Sequence, residues 1–238
     1  MKAAARLALD HLKSARARRE AYVGPWLPEP VLEDQAAPQE EAWARAESVS
    51  LAFLLTLERL SPPERAIFIL HDLFDMGFNE IAPLLHKSEA ACRQVAVRAR
   101  QRLGESKPRH EVSEADGTRL ARAFLTATQT GDEVALRDLL AEDVVLHTDG
   151  GGIRPAALNL IHGAEKTARM LARLALKKVS APVSLYCGLI NGMPGFVTKE
   201  PDGLPQVTVL EMEDQRIAAV YIIRNPEKLG AIAAVLGL

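Results

Sequence analysis

Cysteine is nearly missing from this chain: there are two in 238 residues, Cys92 and Cys187, far apart and at no metal-ligand spacing. That speaks against a disulfide framework and against a zinc site, so both thiols are expected to be reduced, with no metal and no cofactor. Long apolar runs are missing too. Nothing approaches the roughly 20 residues a helix needs to cross a bilayer, and the opening MKAAARLALDHLKSARARRE returns to Arg too often to hold the apolar stretch of a signal peptide. No membrane partner is expected, and the location read from this is cytoplasmic. A strong charge of either sign is the third absence, with a formal net charge of −2. The whole molecule therefore exerts little pull on a polyanion, and any nucleic-acid site has to be local.

What is present is the composition of a folded protein, 48% hydrophobic and 25% charged, in a chain long enough for two domains. Its charges are unevenly placed. Lys2 to Arg19 hold six bases and one acid, and Lys87 to Arg109 hold seven bases and two acids, whereas residues 111–238 hold 13 bases and 16 acids. Nucleic-acid binding, if the chain does it, belongs to the first half.

Good helix formers predict a basic helix from Ala3 to Ala21, stopped by Gly24-Pro25. Tyr22 to Pro30, YVGPWLPEP, has three prolines and a glycine, which favour an extended strip with Trp26 and Leu27 as apolar anchors. A helix is expected from about Gln39 to Leu60, with Val49, Phe53, Leu54 and Leu57 at helical spacing. Ser61-Pro62-Pro63-Glu64 reads as a capping box, opening a helix to about Phe74. The turn Asp75-Met76-Gly77 leads to a short helix over Phe78 to Leu85, and Ser88 caps a longer one to Leu103. Two helices and a tight turn make a helix-turn-helix candidate. On the second helix Ala91, Cys92, Val95, Ala96, Ala99 and Leu103 share one face. Arg93, Gln94, Val97, Arg100 and Gln101 share the other. Arg pairs bidentately with guanine and Gln with adenine in the major groove, while Arg98, Arg100 and Arg102 are placed for flanking phosphates. The plain alternative is a solvated, arginine-rich face with no ligand.

Gly104 to Ser113, polar and proline-containing, reads as an interdomain linker. Beyond it, helices are expected over about Glu114 to Gln129 and Asp132 to Leu140, a strand over Val144 to Thr148, and a helix over Ala164 to Lys177. Strand-like runs follow at Val183 to Ile190, Gly195 to Lys199, Gln206 to Met212 and Ile217 to Ile223, broken by Asn191-Gly192 and Asp202-Gly203. Helices first and then a meander indicate an α+β domain. The glycines of Asp149-Gly150-Gly151-Gly152 permit positive φ and close approach, but no Lys-Ser or Lys-Thr follows to make a phosphate loop. Asn225-Pro226 reads as a helix start, with Asn225 as N-cap.

The stretch LSPPERAIFILHDLFDMGFNEIAPLLHKSEAACRQVAVRARQRL resembles region four of bacterial extracytoplasmic-function sigma factors, the module that reads the upstream promoter element. Leu60 to Arg65, Phe78 to Ala82, Ser88 to Gln94 and Arg98-Ala99-Arg100 carry the likeness. Trp26-Leu27-Pro28-Glu29-Pro30, Asp149-Gly150-Gly151-Gly152 and Asn225-Pro226-Glu227-Lys228-Leu229 resemble three marks of the subgroup with a SnoaL-like domain after region four.

The resemblance implies an all-α helix-turn-helix domain followed by an α+β cone with a curved, mostly antiparallel sheet. Its boundaries are a region-two remnant at 1–21, a Pro-rich linker at 22–38, region four at 39–104 and the SnoaL-like domain at 113–238. Promoter DNA is the implied partner, met by Ser88, Arg93, Gln94, Val97, Arg98, Arg100 and Arg102. Only Leu7 to Glu20 resembles region two, so binding to core RNA polymerase is expected to be weak or absent and the chain is not expected to initiate transcription unaided.

A regulatory contact is expected between Trp26-Leu27-Pro28 and either Asp149 to Gly152 or Asn225, Pro226 and Lys228, joining the two domains and modest enough to open. Trp26 packing on region four is the competing expectation. In SnoaL-like cyclases acid-base residues line the cone, which singles out Asp149, His147, His162 and Tyr186 here, yet no diagnostic pair stands out and catalytic residues are expected to be none. Two functions remain open at this point. One is a sigma-factor-like regulator modulated by its second domain, which has room for a small-molecule ligand in the cone. The other is a small-molecule-binding or cyclase-like protein with a vestigial helix-turn-helix.

Overall fold

The computed structural model describes residues 22–32, 51–58, 60–104, 113–177 and 180–238. They fall into two compact units, one holding residues 52–104 and the other residues 22–32 and 113–238. The basic helix expected from Ala3 to Ala21 lies outside the described residues, as does the first part of the helix expected from Gln39.

The helical unit runs α1 (Leu51–Glu58), α2 (Pro62–Phe68), α3 (Phe78–Leu85) and α4 (Glu89–Gly104). Ser61 and Glu64 form the expected capping box at the start of α2, with the Ser61 N–H donating to Glu64 Oε2 at 2.8 Å. The expected single helix to Phe74 is regular only to Phe68; it then widens into a π-helical turn over Ile69–Leu73, where the Phe74 N–H reaches Ile69 O at 3.1 Å. Ser88 caps α4, its Oγ accepting from Ala91 N at 3.2 Å. Ile67, Ile81, Ala82, Cys92, Val95 and Ala96 form one core cluster and Leu57, Leu60 and Ala99 another. The apolar face expected for α4 is thus the face that is buried. Burial pushes the Cys92 thiol up, which suits an inert core residue.

The second unit opens with α5 (Glu114–Thr130) and α6 (Glu133–Leu139), capped by Ser113 and Asp132, whose side chains accept from Asp116 N and Ala135 N. Then come β1 (Leu140–Asp149), β2 (Ile161–His162), α7 (Ala164–Leu176), β3 (Val183–Ile190), β4 (Met193–Lys199), β5 (Pro205–Glu213) and β6 (Arg216–Ile223). A 3-10 turn at Pro226–Lys228 and a last helix, α8 (Gly230–Leu236), complete it. The six strands lie in the order β2-β1-β6-β5-β4-β3, all antiparallel except β1 against β6. Register shifts in β1, β3 and β5 bend the sheet.

Strand alternation places Val144, Leu146, Phe196, Leu210, Val220 and Ile222 in one core cluster with Phe124, Leu136 and Leu171 of the three helices. Residues of the opposite parity, Val207, Val209 and Ile223, are also fully buried, so both faces of the sheet are covered. Phe124 sits at the centre of the helix-side cluster, with its ring centroid 6.4 Å from that of Phe196. Phe124→Ala is expected to destabilise this unit by about 3–5 kcal/mol, the usual cost of emptying a buried aromatic site. Hydrogen exchange is the check: sheet amides should exchange faster while those of α2 to α4 keep their protection.

Candidate functional site

Two places gather the residues singled out above. The first is the outer face of α4. Arg93, Gln94, Val97, Arg98, Arg100, Gln101 and Arg102 are all exposed. Arg93 makes an i,i+4 ion pair with Glu89 at 2.7 Å and stands over the Phe78 ring with its guanidinium 5.7 Å from the centroid. Both partners of that pair are solvent-exposed, so the ion pair is weak and exchangeable for a stronger acceptor.

The other arginines are placed differently from one another. Arg100 pairs with Asp72 at 2.7 Å, and Arg102 pairs with Glu64 at 2.7 Å. Glu64 is buried, and burial pushes its carboxyl upward; hydrogen bonds from Ser61 and the charges of Arg102 and Arg98 outweigh that and hold it below the usual range. A depressed folded-state value makes Glu64 stabilising at neutral pH, a contribution lost as acid protonates it.

The second place is the strip from Tyr22 to Leu32, which belongs to the same compact unit as residues 113–238. Its Leu27 and the carboxylate of Asp149 are both fully buried. Asp149 Oδ2 accepts from Leu27 N at 2.8 Å and from Lys228 Nζ at 2.6 Å, while Oδ1 accepts from the Tyr22 hydroxyl at 2.5 Å and from Gly151 N at 3.0 Å. Four donors use the carboxylate's capacity in full. Lys228 also donates to Leu27 O at 2.6 Å, and its ammonium lies 4.2 Å from the Trp26 ring centroid and 4.7 Å from that of Tyr22. Asn225 caps the 3-10 turn through Glu227 N, as its sequence context predicts, and its amide donates to the Tyr22 hydroxyl at 2.7 Å. Burial first, and then the neighbouring Asp149 charge, raise the Tyr22 phenol far above its ordinary value, so it remains a donor well into alkaline pH.

The glycine loop has a defined reason. A Cβ on Gly150 would lie 2.1 Å from Arg154 O, and one on Gly151, whose φ is +63°, would lie 2.4 Å from the Asn225 side chain. The loop therefore lets Asp149 and Asn225 close on the strip together. A second anchor holds the strip's far end: Asn191 Oδ1 accepts from Val31 N, Asn191 N donates to Val31 O, both at 3.0 Å, and Leu32 bridges Ile190 on the edge strand β3. Asn191 thereby offers the strip the donor and acceptor of a neighbouring strand.

Trp26, Leu27, Asp149, Gly151, Asn225 and Lys228 are thus brought together, and the strip contacts this unit in the region the sequence marks. The contact is built around a buried ion pair, Lys228 with Asp149 at 2.6 Å. Tyr22, Asn191 and Arg154 were missed. Arg154 is buried behind the glycine loop, donating to Pro205 O at 2.8 Å and pairing with Asp202 at 2.6 Å. Of the acid-base candidates, His162 is exposed on β2, Tyr186 donates to Leu189 O at 3.1 Å, and His147 lies 4.9 Å from the Tyr221 ring, whose hydroxyl donates to Glu211 at 2.6 Å. The structure does not bring these three together with Asp149 as a group.

An exposed basic helix on a helix-turn-helix, with a bent-sheet α+β unit gripping the segment that precedes it, defines a two-unit protein of the transcription-factor class. Comparison with known proteins makes this specific. Residues 50–103 match the family model described as Sigma-70, region 4. The extracytoplasmic-function RNA polymerase sigma factor SigJ of Mycobacterium tuberculosis is 34% identical over 244 residues, covering 94% of this chain and 75% of that one. The probable sigma factor SigI of the same species is 30% identical over 235 residues, covering 98% and 78%. The crystal structure of SigJ superposes with a TM-score of 0.71 at 31% identity, over 93% of this chain and 77% of that one. The chain belongs to the extracytoplasmic-function sigma factors, in the group with a SnoaL-like C-terminal domain.

Among the described residues no helix is long and apolar enough to cross a membrane. Lys228→Met removes the cation from a fully buried carboxylate and is expected to cost about 3–5 kcal/mol. Tyr22→Phe removes one neutral donor and is expected to cost about 1–3 kcal/mol. Hydrogen exchange at the Leu27 amide should rise most in Lys228→Met and less in Tyr22→Phe, and equal exchange in wild type and both variants would rule the clamp out.

Proposed function

We propose that this sigma-family chain reads an upstream promoter element with α4 and that its SnoaL-like unit regulates the reading by holding the Tyr22–Leu32 strip, with no chemistry of its own. Promoter DNA and RNA polymerase are then its partners. The observation carrying this is the region-four match over residues 50–103 combined with the outward face of α4. In a helix-turn-helix the N-terminal part of the second helix meets base edges, which assigns Arg93 and Gln94 to bases, Val97 to a thymine methyl, and Ser88, Arg98 and Arg100 to the flanking backbone.

A structural role for the second unit is supported by how its candidate acid is used. Asp149, the carboxylate nearest the sequence marks, has its acceptors taken by four donors from the strip, the loop and Lys228. The helix-side face of the sheet is filled by Phe124, Leu146, Leu171, Phe196 and Leu210, which favours a packed core over a substrate chamber. Trp26, Leu27 and Pro28 with Asp149 to Gly152, Asn225, Pro226 and Lys228 are on this reading the regulatory contact.

Arg93→Ala and Gln94→Ala are each expected to weaken binding to a cognate promoter element by about 1–3 kcal/mol and to relax sequence choice. Competition binding against a randomised duplex pool measures both. Wild-type affinity and preference in both variants would remove these residues from the reader list.

A further inference from the structure

Arg98, Arg100 and Arg102 stand at alternate positions of α4, and their charge alone suggests one shared role. Their surroundings separate them. Arg102 Nη1 meets Glu64 Oε2 at 2.7 Å, and that same oxygen accepts from Ser61 N at 2.8 Å and Ser61 Oγ at 2.6 Å. Glu64 is 6% exposed, so its charge depends on a cation supplied from outside its own helix. Arg98 is exposed and has no ion-pair partner among the described residues; it acts on Glu64 only through space. Position along the helix points the same way. At about 1.5 Å per residue, Arg102 lies roughly 13 Å beyond Arg93, away from the end of the helix that enters a groove.

We propose that Arg102 is a positioning residue, stapling the last turns of α4 to the capped start of α2 through Glu64, and that of Arg98 and Arg102 it is Arg98 that contacts phosphate. The phosphate half rests on the DNA-reading proposal, whereas the staple rests on the helical unit alone. Moving Arg102 to a phosphate strands a buried carboxylate with two donors from Ser61, and Arg98 carries no such penalty. Holding the last turns of α4 against α2 fixes the angle at which Arg93 and Gln94 are presented, and an arginine suits this because its planar fork loses less freedom per bond than a lysine.

The test uses the full chain and a short random-sequence DNA duplex, with affinity measured across a salt series and amide exchange followed in the free protein. Arg98→Ala is expected to reduce the slope of log affinity against log salt by about 0.9, the value of one phosphate contact. Arg102→Ala is expected to leave that slope unchanged while exchange speeds up at the Arg65 amide, which donates to Ser61 O in the first turn of α2. Arg102→Lys should restore part of the protection. Glu64→Gln combined with Arg102→Gln should lose no more than Arg102→Gln alone, since both act on one contact. A slope reduction in Arg102→Ala equal to that in Arg98→Ala, with exchange unaltered, overturns the proposal. A wild-type slope near zero instead defeats the DNA-reading proposal and the Arg98 assignment with it, and the exchange data then decide the staple by themselves.

Discussion

A carboxylate and an ammonium removed from water together are the constraint on which the C-terminal unit is arranged. Desolvating either charge costs several kcal/mol, and the Asp149–Lys228 pair is tolerable only because every acceptor on the carboxylate is met. That requirement explains features that look unrelated in the sequence. The Pro-rich strip brings the Leu27 N–H and C=O, one for each charge. Glycine at 150 and 151 lets the loop fold back tightly enough for Gly151 N to become a donor. Asn225 both starts the turn that carries Lys228 and holds the phenol that completes the carboxylate's shell. Removing one member leaves the others buried without a partner, and so the three sequence marks behave as one structural object.

The helical unit solves a smaller version of the same problem. Glu64 is buried by the capping box that starts α2, and its charge is met from the far end of α4. A local device for beginning a helix thereby becomes a long-range tie across 38 residues. Between these ends the small buried residues Cys92, Ala96 and Ala99 let α4 pack closely, leaving its polar face outward.

Local patterns were legible in proportion to how local their causes are. The boundaries of α3 and α4 follow from a turn, an N-cap and a 3.6-residue period, and β3 follows from an apolar run ended by Asn191-Gly192. β1 was underestimated because Glu142 and Asp143 interrupt its apolar pattern at the register shift, although Leu140 already pairs with Ile217. β2, two residues long, has too little pattern to read, and the π-helical turn depends on bonds that no periodicity encodes. For the site, the motif resemblance located Trp26, Asp149 and Lys228. Tyr22 meets Asp149 across 127 residues, and Asn191 meets Val31 across 160. A tyrosine ahead of a proline strip and an asparagine in a hairpin turn both have sufficient local explanations, so nothing in the pattern asked for a distant partner.

The buried pair can hold the strip firmly and still be released, because truncation and opening are different processes. Deleting Lys228 strands a carboxylate inside the protein, whereas withdrawing the strip admits water to both charges at once, and rehydration repays much of what the contacts lose. The net free energy of holding the strip is therefore smaller than any single truncation implies.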